Sequence, residues 1–267
     1  MNWPYQTLGD SNAPPLCFLH GFLGRGSDWL QIAAKFSETN FCLLPDLPGH
    51  GENILHSTGA SCQTLTFDLI NDSLLVLLDS LALPKIHLIG YSMGGRAALY
   101  FAVHHSERVA SLTLESASPG ITDPNERHLR AGEDERRAEA ILSGGVEAFV
   151  EHWYTLPLFR SLATYPNVQA QIIAQRKLNN PAGVAQAIRD LSPGRQPAVW
   201  DQLSRLEMPV LLVVGALDEK YVAIGQQMAV HFPNSQLKII PKTGHTVHLE
   251  QPEKFVSLLQ DFFSLVQ

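Results

Sequence analysis

Short runs of apolar residues recur along this chain, and a helical pattern follows most of them. Leu16-Cys17-Phe18-Leu19 leads into His20-Gly21, and Phe41-Cys42-Leu43-Leu44 leads into Pro45-Asp46-Leu47-Pro48-Gly49-His50-Gly51. Lys85-Ile86-His87-Leu88-Ile89 leads into Gly90-Tyr91-Ser92-Met93-Gly94. Ala110 to Leu114 precedes Glu115, Val210 to Val214 precedes Gly215, and Leu237 to Ile240 precedes Pro241. Strands that are apolar at successive positions are covered on both faces, and their alternation with helices predicts an α/β protein with a mostly parallel central sheet flanked by helices. Ligands of such sheets bind beyond the carboxyl ends of the strands. The residues just after each run are therefore the first candidates for chemistry.

The alternation stops between residues 121 and 198. Asp123-Pro124-Asn125-Glu126 reads as an N-cap with proline at the first helical position and glutamate at the third. A charged helix follows and ends at Ser143-Gly144-Gly145. Further helical patterns cover Val146 to Trp153, Val168 to Leu178, and the stretch from Asn180-Pro181 to Ser192-Pro193-Gly194. Strands resume at Val210. The pattern predicts a core formed by 1–120 and 199–267, with 121–198 inserted as a helical lid. A separate domain is the alternative.

A chain of 267 residues can bury a full core, and its 45% hydrophobic and 17% charged residues are ordinary for a globular protein. The net charge of −7 comes without any Lys/Arg block, which argues against nucleic-acid binding. An anionic ligand would need a local arginine cluster against that global field. The cysteines are Cys17, Cys42 and Cys62. An odd count without paired spacing points to a reducing, cytoplasmic setting, with Cys17 and Cys42 as small buried hydrophobes. The amino terminus shows neither the basic nor the apolar region of a signal peptide. Runs such as Leu74 to Leu78 are far too short to cross a membrane. Cysteines and histidines show no ligand spacing, so no metal and no organic cofactor are expected. The protein is expected to work as a monomer or weak homo-oligomer.

Gly90-Tyr91-Ser92-Met93-Gly94 is a G-x-S-x-G between a strand and a helix, the context of a nucleophile elbow. A serine nucleophile needs a base, and the base an orienting carboxylate. Among eleven histidines, His245 follows the last strand in Pro241-Lys242-Thr243-Gly244-His245, where a loop can hang an imidazole over the elbow. His248 should point elsewhere. Asp218 closes Val213-Val214-Gly215-Ala216-Leu217, 27 residues before His245, and is the candidate acid. Glu115, also at a strand end, is its rival, or else it shapes the pocket by local hydrogen bonds. The backbone N–H groups of Phe22, after His20-Gly21, and of Met93 should form an oxyanion hole. Arg96 lies one helical turn after Ser92 on the same face. It is either half of a structural ion pair or a two-pronged clamp for a substrate carboxylate.

Several segments carry a narrower likeness. These are His20-Gly21-Phe22-Leu23-Gly24-Arg25-Gly26-Ser27-Asp28-Trp29, Gly90-Tyr91-Ser92-Met93-Gly94-Gly95-Arg96 and Glu115-Ser116-Ala117-Ser118-Pro119-Gly120. Trp153-Tyr154-Thr155-Leu156-Pro157-Leu158-Phe159, Arg176-Lys177-Leu178-Asn179-Asn180 and Asp218-Glu219-Lys220-Tyr221 complete the set. With them the chain resembles the 2-succinyl-6-hydroxy-2,4-cyclohexadiene-1-carboxylate synthases of menaquinone and phylloquinone synthesis, within the α/β-hydrolase superfamily. The resemblance spans essentially the whole chain. It implies the α/β-hydrolase fold and a lyase that eliminates pyruvate from 2-succinyl-5-enolpyruvyl-6-hydroxy-3-cyclohexene-1-carboxylate, a small tricarboxylate. It also implies that Arg96, Arg130 and Arg176 surround the substrate, with Tyr91 and Trp153 as aromatic pocket residues. A serine hydrolase, either a carboxylesterase or a carbon–carbon bond hydrolase acting on a small anion, is the alternative. A ligand receptor on a hydrolase fold is a third reading, which an intact Ser92, Asp218 and His245 disfavour.

Overall fold

A computed structural model describes residues 3–53 and 64–266. Cys62 and the first two residues of the chain lie outside the described residues. The strands are β1 (Tyr5–Leu8), β2 (Pro15–Leu19), β3 (Phe41–Pro45), β4 (Ile86–Tyr91), β5 (Val109–Glu115), β6 (Val210–Gly215) and β7 (Ser235–Ile240). They form one seven-stranded sheet in the order β1-β3-β2-β4-β5-β6-β7. Every pairing is parallel except that of β1 with β3. The helices are α1 (Leu30–Ala33), α2 (Phe67–Ser80), α3 (Met93–His104), α4 (Pro124–Gly144), α5 (Val146–Trp153), α6 (Pro166–Arg176), α7 (Pro181–Asp190), α8 (Glu219–His231), α9 (Val247–Glu250) and α10 (Pro252–Leu265). No helix among the described residues is long and apolar enough to cross a membrane.

The six apolar runs are six of these strands: β2 to β6 are buried on both faces, and β7, at the edge of the sheet, is only half-buried. Alternate residues of β2 join opposite cores. Cys17 and Leu19 pack with Leu88, Leu112, Ala98 and Met228 on one face, while Leu16 and Phe18 pack with Trp29, Phe255 and Leu259 on the other. Cys17 and Cys42 are fully buried, and burial pushes both thiols up, that of Cys42 to about 12. β1 had no apolar run to mark it. It is an edge strand whose Tyr5, Gln6 and Thr7 are exposed.

Between β5 and β6 every regular element is helical. Asp123 caps α4 by accepting from Glu126 N–H at 2.8 Å, and Asn180 caps α7 by accepting from Gly183 N–H at 2.9 Å. Prolines occupy the first turns of α4, α6 and α7, where a missing N–H costs nothing. The third of these patterns begins at Pro166, two residues before Val168, for that reason. This insertion has its own apolar cluster, including Ile141, Val150, Phe159, Leu162 and Val184, into which Leu23 of the core projects. α7 meets the loop after β3 backbone to backbone. Gly49 sits at φ +83° there, and a Cβ on it would strike the Gly183 carbonyl.

Candidate active site

β4 ends at Tyr91 and α3 begins at Met93, so Ser92 alone makes the turn, at φ 49° and ψ −108°. A non-glycine residue in this region stores roughly 1–3 kcal/mol and persists only where its surroundings dictate it. Here Ser92 N–H donates to the Glu115 carbonyl at 2.9 Å, and Arg96 N–H donates to the Ser92 carbonyl at 2.9 Å. Gly94 lets α3 press against β2, since a Cβ there would collide with the Leu19 and His20 carbonyls. Met93 N–H lies in the first turn of α3, where the helix supplies no acceptor. Phe22 follows in the 20–24 loop, which passes directly over Tyr91 and Ser92 at Gly21.

His245 hangs from the loop after β7. Its Nε2 lies 3.0 Å from Ser92 Oγ and its Nδ1 2.6 Å from Asp218 Oδ2. A carboxylate only accepts, so Nδ1 carries the proton and Nε2 faces the serine hydroxyl as acceptor. The second Asp218 oxygen, Oδ1, caps α8 at Tyr221 N–H, 3.5 Å away. His245 and Asp218 are both buried. Glu115, the rival acid, is turned to His248: it accepts from His248 N–H at 3.0 Å and from Nδ1–H at 2.8 Å. His248 stacks on Trp29 with ring centroids 4.5 Å apart. Strand-end position alone could not separate the two acids, and the hydrogen bonds do.

The cavity at Ser92 encloses about 140 Å³, and Arg96, Arg130, Trp153, Lys220, Tyr221 and His245 are among its walls. Arg96 is buried, and it donates to the Leu191 carbonyl at 2.8 Å and to Gln196 Oε1 at 3.3 Å. Both acceptors are neutral, so neither cancels its charge. Burial lowers it to about 10, which still leaves it cationic at neutral pH. Arg130 Nε donates to Asp134 Oδ2 at 2.8 Å, and Asp134 also accepts from Arg137 and Ser192. The Arg137 guanidinium lies 5.3 Å from the Trp153 ring centre.

Arg176 and Tyr91 line a different cavity of about 20 Å³, together with His20, Asp28, Trp29 and His248. The likeness to the synthases placed both beside the substrate, yet neither lines the Ser92 cavity. Arg176 makes a two-pronged pair with Asp28, NH1 to Oδ1 at 2.8 Å and NH2 to Oδ2 at 2.6 Å. Burial opposes both charges. The pairing outweighs it, so the Asp28 carboxyl is lowered and the Arg176 guanidinium raised. Arg176 Nε is buried without a partner among the described residues. Asp28 in turn accepts from Arg25 N–H at 3.0 Å, and Asn179 Nδ2 donates to the Leu23 carbonyl at 2.8 Å. The insertion thus shapes the Phe22 loop. Tyr91 lies against both histidines, its ring 5.5 Å from that of His245 and 4.7 Å from that of His248.

Tyr221 lines the Ser92 cavity although the sequence assigns it no role there. Its ring lies 4.7 Å from that of His245, in the same cavity wall as Arg96 and Arg130. Burial raises its phenol most, and the two arginines only partly offset this, so it is a neutral hydroxyl at neutral pH. The signal available in the sequence was its place in the first turn of the helix that Asp218 caps.

A parallel sheet with a strained serine elbow, a histidine–aspartate relay and a helical insertion defines the α/β-hydrolase class of protein. The family model described as alpha/beta hydrolase fold matches residues 14–252. The chain is 31% identical to the 2-succinyl-6-hydroxy-2,4-cyclohexadiene-1-carboxylate synthase of Serratia proteamaculans (strain 568), covering 95% of this chain and 94% of that protein. It is 34% identical to chloroplastic Protein PHYLLO of Arabidopsis thaliana, over 93% of this chain and 15% of that protein. The structure of MenH from S. aureus is similar at a TM-score of 0.92 and 37% identity, covering 98% of each chain. This chain belongs to the 2-succinyl-6-hydroxy-2,4-cyclohexadiene-1-carboxylate synthase family.

Proposed function

We propose that this protein is a carbon–oxygen lyase in which Ser92, His245 and Asp218 work as a proton-abstraction relay. It eliminates pyruvate from 2-succinyl-5-enolpyruvyl-6-hydroxy-3-cyclohexene-1-carboxylate, giving 2-succinyl-6-hydroxy-2,4-cyclohexadiene-1-carboxylate for menaquinone or phylloquinone synthesis. The observation that carries the mechanism is the aligned relay opening into a cavity walled by two guanidinium groups.

The proton leaves a ring carbon made acidic by the succinyl ketone. It passes to His245 Nε2, directly or through Ser92 Oγ, and Asp218 stabilises the resulting imidazolium. The electron pair of the broken C–H bond is held first as enolate. Phe22 and Met93 N–H stabilise that charge as an oxyanion hole. The pair then completes the ring diene as the C–O bond to the enolpyruvyl group breaks. Enolpyruvate leaves with the bonding electrons and takes up a proton to become pyruvate. No acyl-enzyme is required.

Arg96 and Arg130 hold substrate carboxylates, and Trp153 packs on the ring. Arg176 takes part by sharing its fork between Asp28 and the substrate. Tyr91 supports His245. The helices of 121–198 act as the lid that carries Arg130, Trp153 and Arg176. Ser92 Oγ at 3.0 Å from Nε2 is equally well placed for nucleophilic attack, so ester or carbon–carbon bond hydrolysis is the competing reading. The arginine-walled cavity favours an anion over a neutral ester.

Incubating the purified protein with the enolpyruvyl substrate separates the two. Pyruvate release with formation of the ring diene supports the lyase. Intact substrate alongside rapid turnover of small carboxylic esters contradicts it.

A further inference from the structure

Glu250 ends α9 and is 3% exposed. Its carboxylate accepts three hydrogen bonds. Gly244 N–H donates to Oε2 at 3.0 Å, and Thr246 Oγ1 donates to Oε1 at 2.8 Å. Those two residues flank His245. The third donor is Ser161 Oγ, to Oε1 at 3.0 Å, and it comes from the helical insertion. The next residue repeats the connection, since Gln251 Nε2 donates to Tyr165 Oη at 3.1 Å. Gly244 is seated so closely under Ser161 that a Cβ on it would collide with the Ser161 hydroxyl.

We propose that Glu250 is a positioning residue that ties the loop of His245 to the insertion, so that seating of the insertion and alignment of the base are one event. This rests on His245 being the base of the reaction. A buried carboxylate is tolerable only while donors surround it, and hydrogen bonds to a charged acceptor are about twice as strong as neutral ones. When the insertion lifts, Ser161 goes with it. The carboxylate is then left with the two donors of the histidine loop and an opening to water, and the loop is free to shift. The loop's fold does not hang on Glu250 alone, because Glu115 separately fixes the next turn through His248 N–H and Nδ1. The fold and the alignment can therefore be separated by mutation.

The experiment uses the full chain with Ser161→Ala and Glu250→Gln. It reads thermal melting, the low-field proton resonance of His245 Nδ1–H, and kcat and KM for pyruvate release. Ser161→Ala should melt as the parent does but lower kcat about tenfold with KM little changed, as a misplacement far smaller than the 1 Å that can cost about 100-fold. Its Nδ1–H resonance should broaden through faster exchange with water. Glu250→Gln should show the same changes more strongly. A folded Ser161→Ala protein with parental kcat and an unaltered resonance overturns the proposal, whatever Glu250→Gln does. If the resonance responds as expected while the parent releases no pyruvate, the positioning role stands and the assigned reaction fails.

Discussion

The two walls of the Ser92 cavity are held by different means. On one wall are Ser92 and His245, with Asp218 behind them, and the three follow β4, β7 and β6 of one sheet. Strands in a sheet are spaced at about 4.8 Å, so the backbone itself sets the separation of the three groups. On the other wall, Arg130 and Trp153 stand on helices of the insertion, and the neighbouring cavity takes Arg176 from the same insertion. No sheet holds those helices to the core; apolar packing around Leu23, the close contact of Gly49 with Gly183, and side-chain pairs such as Arg176 with Asp28, 148 residues apart in the chain, do so instead. The wall of Ser92 and His245 is fixed by topology, and the wall of Arg130 and Trp153 by side-chain packing and charge pairs that are also part of the fold's stability.

The largest effect should come from the sheet-held wall. His245→Ala removes the acceptor of the relay and should lower kcat for pyruvate release by about 10³-fold or more, with the melting temperature nearly unchanged. A loss of only a few-fold would break the claim that this wall carries the chemistry. The pair across the walls should behave differently. Arg176→Ala leaves the Asp28 carboxylate buried without its partner, which costs about 3–5 kcal/mol of stability, and it should also lower kcat/KM. Adding Asp28→Asn should recover much of the melting temperature but not the activity. Parental melting in Arg176→Ala would contradict the structural half of its role.

Arg96 sharpens the contrast because its acceptors are a carbonyl and an amide. Arg96→Ala should lower kcat/KM by about 10- to 100-fold, as loss of a buried charge partner of a carboxylate does, with a smaller melting shift than Arg176→Ala. Arg96→Lys should recover activity only in part, because the planar fork is lost. An equal or larger melting shift with kcat/KM intact would make Arg96 structural.

The smallest effect concerns pH. His20 and His50 are buried beside the Phe22 loop, and burial is the main cause that lowers both. His20 Nδ1–H donates to the Gly21 carbonyl at 2.8 Å and Nε2 accepts from Leu47 N–H at 2.9 Å, as a neutral imidazole does. Below about pH 6.5 the unfolded chain binds protons that the folded chain refuses, so stability is full above that pH and falls as pH drops. The slope is at most about 1.4 kcal/mol per pH unit for each histidine. Melting curves from pH 7.5 to 5.5 should show this decline, and His50→Phe should flatten it. A melting temperature that rises on acidification has the wrong sign.

The same contrast explains what the sequence could disclose. Ser92 and Asp218 each follow an apolar run that is legible because both its faces are buried, His245 follows the half-buried edge run of β7, and the parallel sheet makes neighbours of such strand ends. The helices of the insertion were equally readable from Asp123, Asn180 and their prolines. β1 was not, since an exposed edge strand lacks an apolar run. Nor was the partner of Arg176, because Asp28 lies in a short 3-10 helix, Gly26–Trp29, whose distance from residue 176 is set only by the fold. Glu250 sits in a helix turn where sequence spacing gives no sign of what it meets, and for Tyr221 the one sign is its place in the turn that Asp218 caps.

In the proposed reaction the hydrolase-like relay of Ser92, His245 and Asp218 abstracts a proton and does not form an acyl-enzyme. This proton abstraction is tested most directly by following pyruvate and the conjugated ring diene together, in the parent protein and in Ser92→Ala. The parent should form the two products one for one, and both should fall together by orders of magnitude in Ser92→Ala. Pyruvate without diene, or parental diene formation in Ser92→Ala, would contradict proton abstraction by this relay.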